Sequence, residues 1–132
     1  MSGTIKTLKS KKIARLVVEA LEDLKGESIR YFDVQKLTEI TDYMVIATGR
    51  SSTHVKALSD SVAKKVKDAG FDILGMEGKL QSEWILVDVG GVVVHIMLGA
   101  VRTLYNLEDL WGFDAAEGAE HGVAVESSPQ GL

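Results

Sequence analysis

The sequence predicts an α/β (α+β) domain, a mixed β-sheet with helices packed mainly on one face. Three observations carry that expectation. Segments 13–25 and 51–70 repeat apolar residues at helical spacing. Short runs rich in β-branched and aromatic residues lie between and after them. The stretch "EWILVDVGGVVVHIM", Glu83 to Met97, alternates around a central Gly-Gly pair as a hairpin does.

The elements follow in order. "IARLVVEALEDLK" (13–25) places Ile13, Leu16, Val17, Ala20, Leu21 and Leu24 on one helical stripe, and Gly26 suits the left-handed residue that ends a helix. "SIRYFDV" (28–34) reads as a strand and "YMVIATG" (43–49) as a more buried one. Ser51 or Ser52 opens a helix over 51–70, with Val55, Leu58, Val62, Val66 and Ala69 inward, and Gly70 closes it. "FDILGMEGK" (71–79) has room for one short strand before the hairpin. A last helix over 100–111 offers Val101, Leu104, Leu107, Leu110 and Trp111. The order is α-β-β-α-β-β-α. Helix 51–70 is long enough for a crossover, which makes 43–49 and 84–89 parallel neighbours.

A length of 132 residues accommodates one domain with one core rather than two. Residues 1–12 read as a basic lead-in, 13–112 as the single domain, and 113–132 as an acidic, disordered tail holding the only proline, Pro129. No apolar run approaches the roughly 18 residues of a membrane span, and no signal-peptide pattern appears. With no cysteine, disulfides and thiolate metal sites are excluded, in keeping with a reducing, cytoplasmic location.

Charge is unevenly placed. Residues 1–15 hold five bases and no acid, whereas 112–132 hold four acids and no base, so the chain through residue 111 is neutral. A net charge of −4 on a neutral body argues against DNA and general nucleic-acid binding. The basic start leaves at most a weak rRNA contact.

With Gly90-Gly91 as the turn, Val89 faces Val92, Asp88 faces Val93, Leu86 faces His95 and Trp84 faces Met97. Ile85, Val87, Val89, Val92, Val94 and Ile96 then share an aliphatic, core-facing side. The reverse carries Trp84, Leu86, Asp88, Val93, His95 and Met97. Two readings of that side compete: a second core layer, or a surface for a protein partner. Burying Asp88 and His95 would demand a hydrogen-bond partner for each, which favours the partner surface.

Catalytic readings fail on composition. "ATGRSS" (47–52) resembles the strand-to-helix turn with which nucleotidyltransferases hold a triphosphate. The two-metal chemistry then needs a second carboxylate near Asp88, and position 90 is glycine. A turn plus an N-cap accounts for Gly49, Ser51 and Ser52. His95 and Asp88 are diagonal neighbours without a third metal ligand, and no Gly-x-Ser-x-Gly nucleophile turn is present. Neither a catalytic set nor a cofactor site assembles from these residues.

Three blocks, "TDYMVIATGRSSTHVKALSDSV", "EGKLQSEWILVDVGGVVVHIML" and "LYNLEDLWG", closely resemble the Iojap family, the ribosomal silencing factors (RsfS), from about Ile13 to Gly112. The resemblance implies a nucleotidyltransferase-like topology without that activity. It also implies binding to the large ribosomal subunit through the protein numbered fourteen, which sterically prevents small-subunit joining and lowers translation when nutrients are scarce. Trp84, Asp88 and His95 match family motif positions. Met97 and Leu98 lie in the same block, and Leu86 and Val93 join them from the hairpin register. The turn lacks the acidic residue often found there, and the tail follows no family pattern. The alternative is a residual nucleotide-binding protein or nucleotidyltransferase using Gly49, Ser51 and Asp88. Monomer and homodimer both stay open.

Overall fold

The computed structural model describes residues 2–78 and 82–106. Within them the elements run α1 (Ser2–Asp23), β1 (Glu27–Asp33), β2 (Tyr43–Gly49), α2 (Ser52–Asp68), β3 (Gly75–Glu77), β4 (Trp84–Asp88), β5 (Val92–Leu98) and α3 (Gly99–Tyr105). One mixed sheet holds all the strands in the order β1-β2-β5-β4-β3. β2 and β5 are parallel, and every other pairing is antiparallel.

The hairpin forms in the register the sequence predicts, with Trp84 opposite Met97, Leu86 opposite His95 and Asp88 opposite Val93. Gly90 (φ 65°) and Gly91 (φ 77°) supply the two left-handed residues of its turn. Asp88 Oδ1 accepts the Gly90 N–H at 3.0 Å, which braces the turn from the preceding strand.

The parallel partner of β2 differs from the expectation. It is β5, and β4 is pushed outward between β5 and β3. The reason is burial. β5, "VVVHIML", is covered on both faces over most of its length, as a central strand requires. β4 alternates strictly between buried and half-buried, the pattern of a strand with one covered face.

α1 and α2 both pack on the aliphatic side. Their core joins Ile13, Val17, Leu21, Val55, Leu58, Val62 and Val66 to Val45, Ile85, Val87, Val94 and Ile96. Burying such side chains contributes about 1.5–3 kcal/mol each before chain entropy is subtracted. Ala69 does not join the stripe: it is the exposed C-cap of α2, and Gly70 (φ 93°) follows it in the left-handed region.

The ends of α1 correct two expectations. The helix reaches back to Ser2, through the stretch read as a lead-in. Lysines there are good helix formers, and Ser10 is buried with its hydroxyl donating to Asp42 Oδ2 at 2.7 Å. At the other end the left-handed residue is Lys25 (φ 60°), not Gly26. Gly26 N–H bonds Leu21 O at 2.8 Å and Lys25 N–H bonds Glu22 O at 3.0 Å, the paired bonds of a Schellman ending. Glycine is one residue later because a Cβ at position 26 would lie 3.1 Å from the Leu21 carbonyl oxygen and 3.3 Å from the Leu58 side chain.

α3 spans seven residues and ends at Asn106 in the left-handed region, φ 47°. The predicted continuation through Leu107, Leu110 and Trp111, and the tail 113–132, lie outside the described residues. No described helix is long and apolar enough to cross a membrane.

Gly49 ends β2 against Val55 in the first turn of α2. A Cβ there would sit 3.0 Å from Val55 N and 3.2 Å from Val55 Cα, backbone atoms that cannot step aside. Gly49→Ala is therefore expected to cost about 1–3 kcal/mol, the usual range for overpacking. Chemical denaturation of the variant against the parent measures it; an unchanged midpoint would remove this account of the glycine.

Candidate functional site

The sheet face away from α1 and α2 is a grid that the pairings fix. One row holds Phe32, Met44, Val93 and Asp88; the next holds Arg30, Ile46, His95 and Leu86; a third holds Thr48, Met97 and Trp84. β1 and β2 thus contribute half of a face to which the hairpin supplies the other half.

This face is partly core. Phe32, Val34, Met44, Ile46 and Met97 form a small second cluster, with Trp84 and Val101 packed against it. The expectation of an open face therefore holds only in part. Met97 is fully buried and His95 nearly so, while Trp84, Leu86, Asp88 and Val93 are half-buried. Alternation along β4 and β5 could not reveal the cover, because β1, β2 and α3 supply it. Leu98 belongs to the opposite side. It shares parity with Val92, Val94 and Ile96 and packs against the helix-side core.

Trp84 opens β4 and is half-buried on this face. Its indole N–H donates to His95 Nδ1 at 3.0 Å. Its ring lies 5.9 Å from the His95 ring and 5.0 Å from the Tyr105 ring, tilted against both. Such tilted aromatic contacts contribute about 0.5–1.5 kcal/mol each beyond burial. Beside them Leu104 is 75% exposed and Tyr105 55% exposed. Burial pushes the His95 imidazole down to about 4, and the indole bond requires Nδ1 to carry no proton. The site is thus an aromatic patch with a neutral histidine beneath it at ordinary pH.

Tyr105, Arg102 and Thr48 were not among the predicted site residues. Tyr105 lies inside the block "LYNLEDLWG", whereas helical spacing selects Val101 and Leu104. Arg102 Nη1 donates to Ser28 O at 2.7 Å and to Thr48 Oγ1 at 2.9 Å, which ties α3 to the end of the sheet.

The residues of the nucleotide reading are not brought together. Gly49 pairs with Leu98 at one end of β5, and Asp88 pairs with Val93 near the other. Five strand positions separate the two rows, roughly 16 Å at the usual rise per residue. Ser51 caps α2 by accepting the His54 N–H at 3.1 Å. His54 Nδ1 accepts the Arg50 N–H at 2.9 Å, and its Nε2 lies 2.8 Å from Leu24 O, so the ring closes a turn. Gly49, Ser51 and Asp88 cannot cradle one triphosphate.

The family model described as "Ribosomal silencing factor during starvation" matches residues 7–130. The chain belongs to this family. A ribosomal silencing factor RsfS of Chromobacterium violaceum is 54% identical over 100 residues, covering 76% of this chain and 82% of the relative. A crystal structure of a protein from the same organism aligns with a TM-score of 0.76 at 53% identity, covering 77% of this chain and 85% of that one. A mouse relative named "Mitochondrial assembly of ribosomal large subunit protein 1" is 30% identical over 118 residues, 87% of this chain and 52% of the relative. The mixed sheet with its helices is accordingly the fold of ribosomal silencing factors. In this member of the family, Trp84 on the sheet and Tyr105 on α3 form an aromatic patch with His95 buried beneath it.

Proposed function

We propose that this ribosomal silencing factor binds the large ribosomal subunit through its protein numbered fourteen and blocks joining with the small subunit, lowering translation when nutrients are scarce. The observation that carries the reading is the half-buried Trp84, packed against the tilted Tyr105 ring and bonded to His95. Exposed Leu104 precedes Tyr105 on α3, and half-buried Leu86, Val93 and Asp88 share the sheet face with Trp84. A rigid aromatic anchor with apolar neighbours and few polar groups is how protein interfaces concentrate affinity. Family membership supports the ribosome as the target, and the mouse relative's name supports the large subunit. Met97 contributes from beneath by fixing Trp84; Leu98 supports the strand from the helix side.

Occlusion by mass action has kinetic consequences. A protein that binds free large subunits stabilises that state by RT ln(1 + [L]/Kd). Added before the subunits meet, it should suppress joining; added to assembled, translating ribosomes, it should act slowly or not at all. Light scattering during subunit joining tests both. Inhibition should saturate near one copy per large subunit. Full inhibition at a small fraction of the subunit concentration would mean turnover and would overturn the reading.

A further inference from the structure

We infer that Arg102 is a positioning residue for the partner surface: with the bulged Ser28 carbonyl and Thr48 it locks α3 so that the tilted Tyr105 ring stays packed against Trp84. The inference rests on the proposed role of the Trp84 surface. α3 is an unusual element to find held in place. It has seven residues, none of them buried, and no side-chain N-cap. A helix of that length does not persist in water by itself. Its attachments to the sheet include Val101 against the second core cluster, the Tyr105 ring against Trp84, and the Arg102 guanidinium.

The guanidinium contact is built from both sides. Ser28 has φ 48°, in the left-handed region that a serine seldom adopts, and the β1–β2 register shifts between Glu27 and Arg30. That bulge turns the Ser28 carbonyl toward Arg102 at 2.7 Å. Thr48, on the Trp84 face of β2, offers its hydroxyl oxygen to the same nitrogen at 2.9 Å. A backbone departure that also completes a distant hydrogen bond (74 residues away in sequence) is a natural place to look for function. Arg102 also closes α3 from within, its carbonyl accepting the Asn106 N–H at 2.8 Å.

An arginine with two fixed acceptors holds orientation as well as position, which a flexible lysine does not. Without it, α3 would sample other placements, and Tyr105 and Leu104 would have to be ordered when the partner binds. Such an ordering cost appears as weaker affinity with little change in the folded core.

The test uses the full chain carrying Trp111→Phe, so that Trp84 is the sole tryptophan. Arg102→Ala, Arg102→Lys and Thr48→Val are compared for affinity to the purified large-subunit protein numbered fourteen, for Trp84 emission, and for melting temperature. Arg102→Ala should weaken binding about tenfold and shift Trp84 emission to the red, with melting within about 3 °C of the parent. Arg102→Lys and Thr48→Val should fall between. Unchanged affinity and emission would overturn the inference. So would a collapse in melting temperature shared by Arg102→Ala and Thr48→Val, which would make the contact a fold element only. If the parent itself fails to bind, the proposed function falls, while the emission shift still decides whether Arg102 positions α3.

Discussion

Trp84→Glu is expected to abolish binding to the large-subunit protein while the chain still folds. A central interface tryptophan carries at least about 2 kcal/mol, roughly thirtyfold in affinity, and a carboxylate in its place adds a desolvation cost. The fold will feel the change as well, because the indole N–H is the donor to His95 Nδ1. Leaving that nitrogen unpaired costs about 1–3 kcal/mol, so melting should fall by several degrees and remain cooperative. Trp84→Phe separates the two effects. It keeps an anchor ring, loses the indole hydrogen bond, and should lose stability with much less loss of binding. Near-parental affinity in Trp84→Glu would move the partner surface elsewhere on the molecule.

The second large effect is acid destabilisation through His95. An unfolded histidine titrates near 6.5, and burial lowers His95 to about 4 in the folded protein. Between those values the unfolded chain binds a proton that the folded chain refuses, so stability falls as pH falls. The contribution is fully present above about pH 6.5, shrinks through the window, and is gone near pH 4, amounting to about 3 kcal/mol in all. The proton has no room on Nδ1, which already accepts from Trp84, so acid should also loosen the aromatic set. His95→Asn offers an acceptor that does not titrate. Its melting temperature should change less with pH over the same range than the parent's; identical slopes would show that other groups set the acid limb.

Much of the architecture was legible because short-range rules fixed it. Two adjacent glycines between alternating apolar residues allow essentially one hairpin register, and that register forms. Ser51 and Gly70 bounded α2 for reasons local to a helix end. What escaped the sequence were choices between distant segments. Either strand of the hairpin could have lain beside β2, and the outcome rests on which one the neighbours bury more fully. The aromatic site was half legible for the same reason. Trp84 and His95 face one way by strand alternation, but their depth depends on Phe32, Met44 and Ile46 from other strands. Tyr105 meets Trp84 from α3, a helix that Arg102 ties to a bulged carbonyl in β1, and no local pattern announces either contact.

α1 and α2 lie on one side of the sheet, and the aromatic set lies on the other. A protein held by that set would therefore turn both helices outward. A helix with its side chains is about 10 Å across, and half the usual face-to-face spacing of a sheet adds about 5 Å, so the bound domain would stand roughly 15 Å proud of its support. The helix layer is packed on fully buried valines and leucines, which makes it stiff. It would act as a rigid spacer whose thickness, more than the chemistry of its outer surface, sets how near a second large body can come. Changes to its exposed lysines and glutamates should accordingly leave that clearance intact.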